Sequence, residues 1–245
     1  MTNKYMYFIA NWKMFGGLNS LNSLHKVAKF FKNFKKNKFT KIIYCPPSTL
    51  IRPMSKKLKN TRIEVGAQNC HENQTSGAFT GSINSMMLKN VGAKYVIIGH
   101  SENRQSGENN KLINLKIRSA LKSGLKVIFC VGETLQEKRK KITKQVLNKQ
   151  IRLGLDKIKN KNNILIAYEP VWSIGSGLIP KSDELFDIIN FIKKKYRNYK
   201  VLYGGSVNSK NIIELKFIDN IDGYLIGGES QNPKKFIDII KKTYN

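Results

Sequence analysis

The sequence predicts a closed (β/α)8 barrel, a single α/β domain over residues 1–245, and three observations lead there. Short apolar runs of strand length alternate eight times with segments of helical periodicity. Most of those runs are apolar throughout, as parallel strands covered on both faces must be. A chain of 245 residues is long enough to bury one large core, and no Pro/Ser-rich or acidic low-complexity break divides it.

Taken in order, the first strand runs from Tyr5 to Lys13. A helix over Asn19 to Lys36 follows, with Leu21, Leu24, Ala28, Phe31 and Phe34 at helical spacing. Ile42 to Cys45 is the second strand, and Ser48 caps the helix after it. The third strand is Ile63 to Gln68. The polar stretch Asn69 to Asn84 is too long for an ordinary connection, which marks it as a partner-contacting or functional loop. Tyr95 to Gly99 is the fourth strand, with a helix over Asn110 to Leu121, and Lys126 to Val131 is the fifth. Thr134 and Glu137 form a capping box that opens a long helix. The sixth strand starts at Ile164 and ends at Glu169, because Pro170 has no N–H to donate. Ser182 caps a helix to about Tyr196; Val201 to Tyr203 and Gly223 to Ile226 are the last two strands. Asn232 and Pro233 supply the N-cap and N1 proline of the final helix.

Composition narrows the function classes. No apolar stretch approaches the length of a signal peptide or of a membrane span, so a soluble, cytoplasmic protein is expected. Cys45, Cys70 and Cys130 lack paired spacing, and His25, His71 and His100 are unclustered, so neither a disulfide framework nor a metal is implied. The 44 Lys+Arg against 16 Asp+Glu give a net charge of +28, whose functional reading would be nucleic acid, an anionic membrane or steering of small anions. The basic runs Lys29–Lys38, Lys138–Lys144 and Lys193–Arg197 fall on separate predicted helices among apolar core positions. They form no single arm, which assigns the charge to solvent faces and argues against nucleic acid.

In a parallel barrel the active site forms where the strands end. Strand one ends in Asn11, Trp12 and Lys13, with Asn11 and Lys13 on one face by alternation. Strand four ends in Gly99, His100, Ser101 and Glu102, ahead of a polar segment that suits a short helix; strand six ends in Glu169. After Pro170, a stretch with Trp172, Ile174 and a glycine-rich tip from Ser173 to Gly177 reads as a lid that excludes water on closing. The loops after strands seven and eight begin Gly204-Gly205-Ser206 and Gly227-Gly228, backbone suited to a phosphate. One carboxylate, one imidazole, one ammonium and a phosphate cradle fit proton abstraction next to a carbonyl on a small phosphorylated sugar. A sugar-phosphate aldolase would need a Schiff-base lysine inside the barrel, where strand six offers Glu169. A basic barrel with a nucleic-acid-binding or other anion-binding role is the alternative from another class.

The segments NWKM (Asn11 to Met14), IIGHSE (Ile97 to Glu102), CVGETL (Cys130 to Leu135), AYEPVWSIGSG (Ala167 to Gly177), YGGSV (Tyr203 to Val207) and DGYLIGG (Asp222 to Gly228) resemble the triosephosphate isomerase family, in family order and over nearly the whole chain. That resemblance implies a TIM barrel, a homodimer and a cofactor-free interconversion of dihydroxyacetone phosphate and D-glyceraldehyde 3-phosphate, in glycolysis and gluconeogenesis. It makes Glu169 the base, His100 the electrophile, Lys13 the electrostatic stabiliser and Asn11 a substrate contact, with Glu102 orienting Lys13. It assigns the phosphate to backbone N–H groups of Gly175, Ser206, Gly227 and Gly228, brings Trp172 to Glu133 when the lid closes, and packs Cys130 behind the base. Ala78, Phe79 and Thr80 would insert into the neighbouring subunit.

Three positions depart from the family's pattern. Pro180 removes the backbone N–H to which a tyrosine like Tyr203 latches the closed lid, so that latch is expected to be absent and Tyr203→Phe to cost less than about tenfold. Asn103 and Ser82 replace an Arg and a Glu that meet across the dimer interface. Glu229 stands where a small residue follows the Gly-Gly pair, a carboxylate beside a bound phosphate.

Overall fold

The structure is a computed structural model that describes residues 4–159 and 161–245. Eight parallel strands close into a barrel in the order β1 to β8. They are β1 (Met6–Asn11), β2 (Thr40–Cys45), β3 (Glu64–Ala67), β4 (Tyr95–Ile98), β5 (Lys126–Val131), β6 (Ile164–Tyr168), β7 (Lys200–Tyr203) and β8 (Gly223–Ile226). Among the described residues ten α-helices lie outside them: α1 (Leu24–Asn33), α2 (Ser48–Leu58), α3 (Ser85–Asn90), α4 (Ser101–Gln105), α5 (Asn110–Lys122), α6 (Leu135–Arg139), α7 (Thr143–Gly154), α8 (Ser182–Lys195), α9 (Ile212–Leu215) and α10 (Pro233–Tyr244). The β1–β8 ladder, with Ile9 opposite Leu225, completes the closure, so that among the described residues no strand is left at an edge.

Alternation along the strands separates two apolar layers. Ile9, Ile43, Tyr95, Ile97, Ile128, Leu165, Leu202 and Leu225 fill the barrel interior, while Phe8, Ala10, Ile42, Val96 and Ile98 face the helices. The interior is therefore a packed floor, and the site above it opens to solvent on one side only. Among the described residues no helix is long and apolar enough to cross a membrane.

Five expectations from the sequence need correction. The first helix begins as a 3-10 turn, Leu18–Ser23, and turns α-helical only from Leu24 to Asn33. Pro47 and Lys181 occupy the N-cap positions of α2 and α8, so Ser48 and Ser182 are the first helical residues and cap nothing. The Thr134–Glu137 capping box does form, but the helix it opens ends at Arg139, and Lys141 in a left-handed conformation (φ 58°) divides it from α7. The basic run Lys138–Lys144 consequently straddles two helices. Finally, β1 ends at Asn11, and Lys13 is left-handed (φ 53°), so strand alternation does not place its side chain. The stretch from Asn69 to Asn84 does lack regular structure.

Candidate active site

Eight of the nine residues singled out from the sequence line one cavity of about 310 Å³ at the C-terminal ends of the strands: Asn11, Lys13, His100, Glu169, Gly175, Ser206, Gly227 and Gly228. Glu102, the ninth, stands behind Lys13, with its Oε1 2.6 Å from Lys13 Nζ.

Glu169 immediately follows β6, its N–H held by Val131 O at 2.8 Å. The carboxyl is 3 % exposed, and burial pushes its pKa above the ordinary carboxylate value against the opposing pull of His100, the Cys130 thiol and Lys13. Among the described residues its Oε2 has no hydrogen-bond partner, a costly state for a buried oxygen unless a reacting group supplies one. Cys130, expected only as packing, thus also opposes the rise in the base's pKa. Two glycines make room for it: a Cβ on Gly132 would stand 1.8 Å from the Glu169 carbonyl oxygen, and one on Gly204 2.8 Å from Glu169 Cγ.

His100 is the N-cap of α4, and its Nδ1 accepts the Glu102 N–H at 3.3 Å. The ring's own hydrogen is therefore on Nε2, which faces Glu169 Oε1 at 3.5 Å. Gly99 turns the chain out of β4 with φ 76°, and Arg104 fixes this corner by donating to Gly99 O at 2.8 Å and Cys130 O at 3.1 Å. Lys13 is held in its left-handed turn from both sides: its N–H donates to Asn11 Oδ1 at 3.1 Å and its carbonyl accepts from Gln68 Nε2 at 2.8 Å. Its stem then passes over Gly227 toward the cavity. Neither Arg104 nor Gln68 was singled out from the sequence, because the bonds from Arg104 to Cys130 and from Gln68 to Lys13 reach backbone far away in the chain and leave no local pattern.

The lid closes this chamber. Trp172 Nε1 donates to Glu133 Oε1 at 2.8 Å, as expected, and the Tyr168 hydroxyl lies 3.2 Å from both oxygens of that carboxylate. Burial raises the Glu133 pKa, opposed by these donors. Lys138 Nζ stands over the Trp172 ring, 3.7 Å from its centre. At the lid's other end Gly177 N–H donates to Ser206 Oγ at 3.1 Å. The Ser206 N–H is already engaged with Ser173 Oγ at 3.2 Å, so a phosphate would take it from an existing bond. Glu229 lines the cavity, but Lys235 Nζ lies 2.8 Å from its Oε1 and offsets the carboxylate's repulsion of an anion.

Comparison with known proteins gives one answer throughout. The profile of the family described as Triosephosphate isomerase matches residues 6–243. The chain is 41% identical over 244 residues to a triosephosphate isomerase of Dictyoglomus thermophilum, covering 95% of this chain and 97% of that one. It is 39% identical over 245 residues to that of Thermodesulfovibrio yellowstonii, with 96% and 98% covered. The crystal structure of triosephosphate isomerase from Bartonella henselae superposes with a TM-score of 0.89 at 34% identity, covering 98% of this chain and all of that one.

Proposed function

Since the chain belongs to the triosephosphate isomerase family, whose enzymes interconvert dihydroxyacetone phosphate and D-glyceraldehyde 3-phosphate, we propose that it performs this reaction by proton transfer through Glu169. The carrying observation is the buried Glu169 carboxylate, with one oxygen unpartnered, beside the His100 Nε2–H in the cavity that Lys13 also lines. Glu169 takes a proton from the carbon next to the carbonyl and returns it to the neighbouring carbon. His100 Nε2–H and Lys13 Nζ stabilise the enediolate between these steps, and donors fixed before reaction need not reorganise as charge appears. Asn11 shapes the Lys13 turn and meets the substrate, and Glu102 orients Lys13. Backbone N–H groups of Gly175, Ser206, Gly227 and Gly228 bind the phosphate. No cofactor is needed, because only protons move: one between the two carbons by way of Glu169, and one from the hydroxyl oxygen to the former carbonyl oxygen.

The route is tested in deuterated water with glyceraldehyde 3-phosphate as substrate. A carboxyl that exchanges its proton before returning it yields dihydroxyacetone phosphate with deuterium at C1. Turnover that never incorporates deuterium would exclude an exchangeable base.

The same reading includes a single catalytic domain that works as a homodimer in the cytoplasm. Phe79, Ile83, Met86 and Met87 are exposed together on the long β3–α3 connection and α3, supporting insertion into a neighbour despite the missing charges at Asn103 and Ser82. Light scattering at micromolar concentration is expected to give twice the 28.0 kDa of one chain; a monomer mass would overturn the dimer. The three cysteines are free and buried, which supports a reducing compartment.

A further inference from the structure

We propose that Ser173 is a positioning residue whose hydroxyl latches the lid shut, joining the lid's two halves to each other and to the Tyr203–Ser206 loop. The inference rests on the isomerase reading above.

The hydrogen-bond capacity of one hydroxyl accounts for the arrangement. Ser173 Oγ lies 2.5 Å from the Leu178 carbonyl, 3.1 Å from Tyr203 Oη and 3.2 Å from the Ser206 backbone nitrogen. A carbonyl can only accept, so the single Ser173 proton goes to Leu178. Tyr203 O–H and Ser206 N–H then both donate to Ser173 Oγ and fill its two lone pairs until a phosphate draws the Ser206 N–H away; the Leu178 and Tyr203 bonds are the ones that persist with substrate bound. The first bond spans the lid tip from residue 173 to residue 178, and the other two tie that tip to the end of β7 and to the loop after it. The Ser173 carbonyl adds a further tie by accepting from Ser206 Oγ at 2.6 Å.

Two neighbours show that the space is made for this hydroxyl. Pro180 offers Tyr203 no backbone N–H, and Tyr203 is fully buried, so among the described residues its hydroxyl would lack a hydrogen-bond partner without Ser173. A Cβ on Gly205 would stand 2.3 Å from Tyr203 Oη and 2.6 Å from Ser173 Oγ; only a glycine admits the pair. The small cost expected for Tyr203→Phe from the missing N–H at Pro180 is therefore revised upward, because Tyr203 Oη has a partner in Ser173 Oγ. The position-180 bond is absent, but the tyrosine holds the lid from residue 173 instead.

Ser173→Ala removes three bonds and leaves the Tyr203 hydroxyl and Ser206 N–H to be satisfied elsewhere. With the lid less firmly closed, Gly175 spends less time at the phosphate loop and water reaches the enediolate. The enediolate can then break its own C–O bond to phosphate: the oxyanion's electron pair re-forms a carbonyl, the double bond shifts, and the C–O pair leaves with inorganic phosphate. The enol left behind gains a proton at the carbon that bore phosphate and loses one from its hydroxyl to become methylglyoxal.

The test compares wild type, Ser173→Ala, Tyr203→Phe and the double variant by coupled isomerase assay, and measures phosphate released per isomerisation. The expected result is a loss in kcat/KM of about 10- to 100-fold in each single variant, with the double variant no worse, since both changes break the same bond. The share of turnovers ending in phosphate release should rise by about tenfold in all three. That share is independent of how much enzyme is folded, so a general loss of structure would leave it unchanged. An inactive wild type would remove the isomerase reading itself. An active wild type with kcat/KM and phosphate release unchanged in Ser173→Ala, or with strictly additive losses, would overturn the latch.

Discussion

Replacing Glu169 with Gln is expected to lower kcat/KM by about 10³-fold while making the folded protein more stable by about 1 kcal/mol at neutral pH. The two effects share a cause. Burial holds the Glu169 pKa above the ordinary carboxylate value, so ionising the side chain in place costs more than ionising it in the unfolded chain. The stability associated with the neutral carboxyl is full below the unfolded value and is lost as pH rises through the raised one. Gln does not ionise. The stability difference between variant and wild type should grow across that window and then level off. The same raised pKa makes the wild-type kcat/KM fall on the acid side at a pH above the ordinary carboxylate range, because the base must be ionised to accept a proton. Urea unfolding of both proteins at several pH values, beside their rate profiles, checks this. A Gln variant that retains activity would remove Glu169 from the chemistry, and a stability difference independent of pH would remove its burial as the cause.

The parts of the site visible in the sequence are those where chemistry sits beside a backbone signal. Glu169 stands before a proline that ends β6, His100 follows a glycine with positive φ, and the Gly-Gly pairs follow β7 and β8. What the sequence hid is held by contacts between distant segments. Gln68 reaches the Lys13 carbonyl across 55 positions, Arg104 reaches Cys130 across 26, and Ser173 reaches Tyr203 across 30. A polar side chain that bonds remote backbone has no periodicity to detect. Helix boundaries failed for a local reason: Ser48 and Ser182 look like caps, but each follows a residue whose extended backbone (ψ near 148°) already makes the turn into the helix. The excess charge also acquires a structural account. α1, α2, α5, α7, α8 and α10 all carry Lys or Arg in their last turn, where cations offset the negative end of the helix dipole. In a parallel barrel those helix ends lie opposite the active-site rim, so much of the basic surface faces away from the substrate.

Lys13→Met is the substitution that separates charge from architecture at the same rim, with an expected loss in kcat/KM of about 10²- to 10³-fold. Met keeps the length of the stem that passes over Gly227 and deletes only the ammonium. The strained backbone at φ 53° does not depend on that charge: Asn11 Oδ1 holds the residue's N–H and Gln68 holds its carbonyl, and both bonds survive the change. Stability should therefore shift by less than about 1 kcal/mol, because the lost Lys13–Glu102 pair is half open to water on the Glu102 side. Glu102→Gln supplies the contrast, since its amide oxygen still accepts from Lys13 and the ammonium stays at the cavity; its loss should remain within about tenfold. If Lys13→Met and Glu102→Gln proved equally damaging, position and not charge would be what Lys13 contributes. If Lys13→Met were nearly silent while its fold and melting temperature were intact, the enediolate would be stabilised by His100 alone, and the 2.6 Å ion pair would serve the loop and not the reaction.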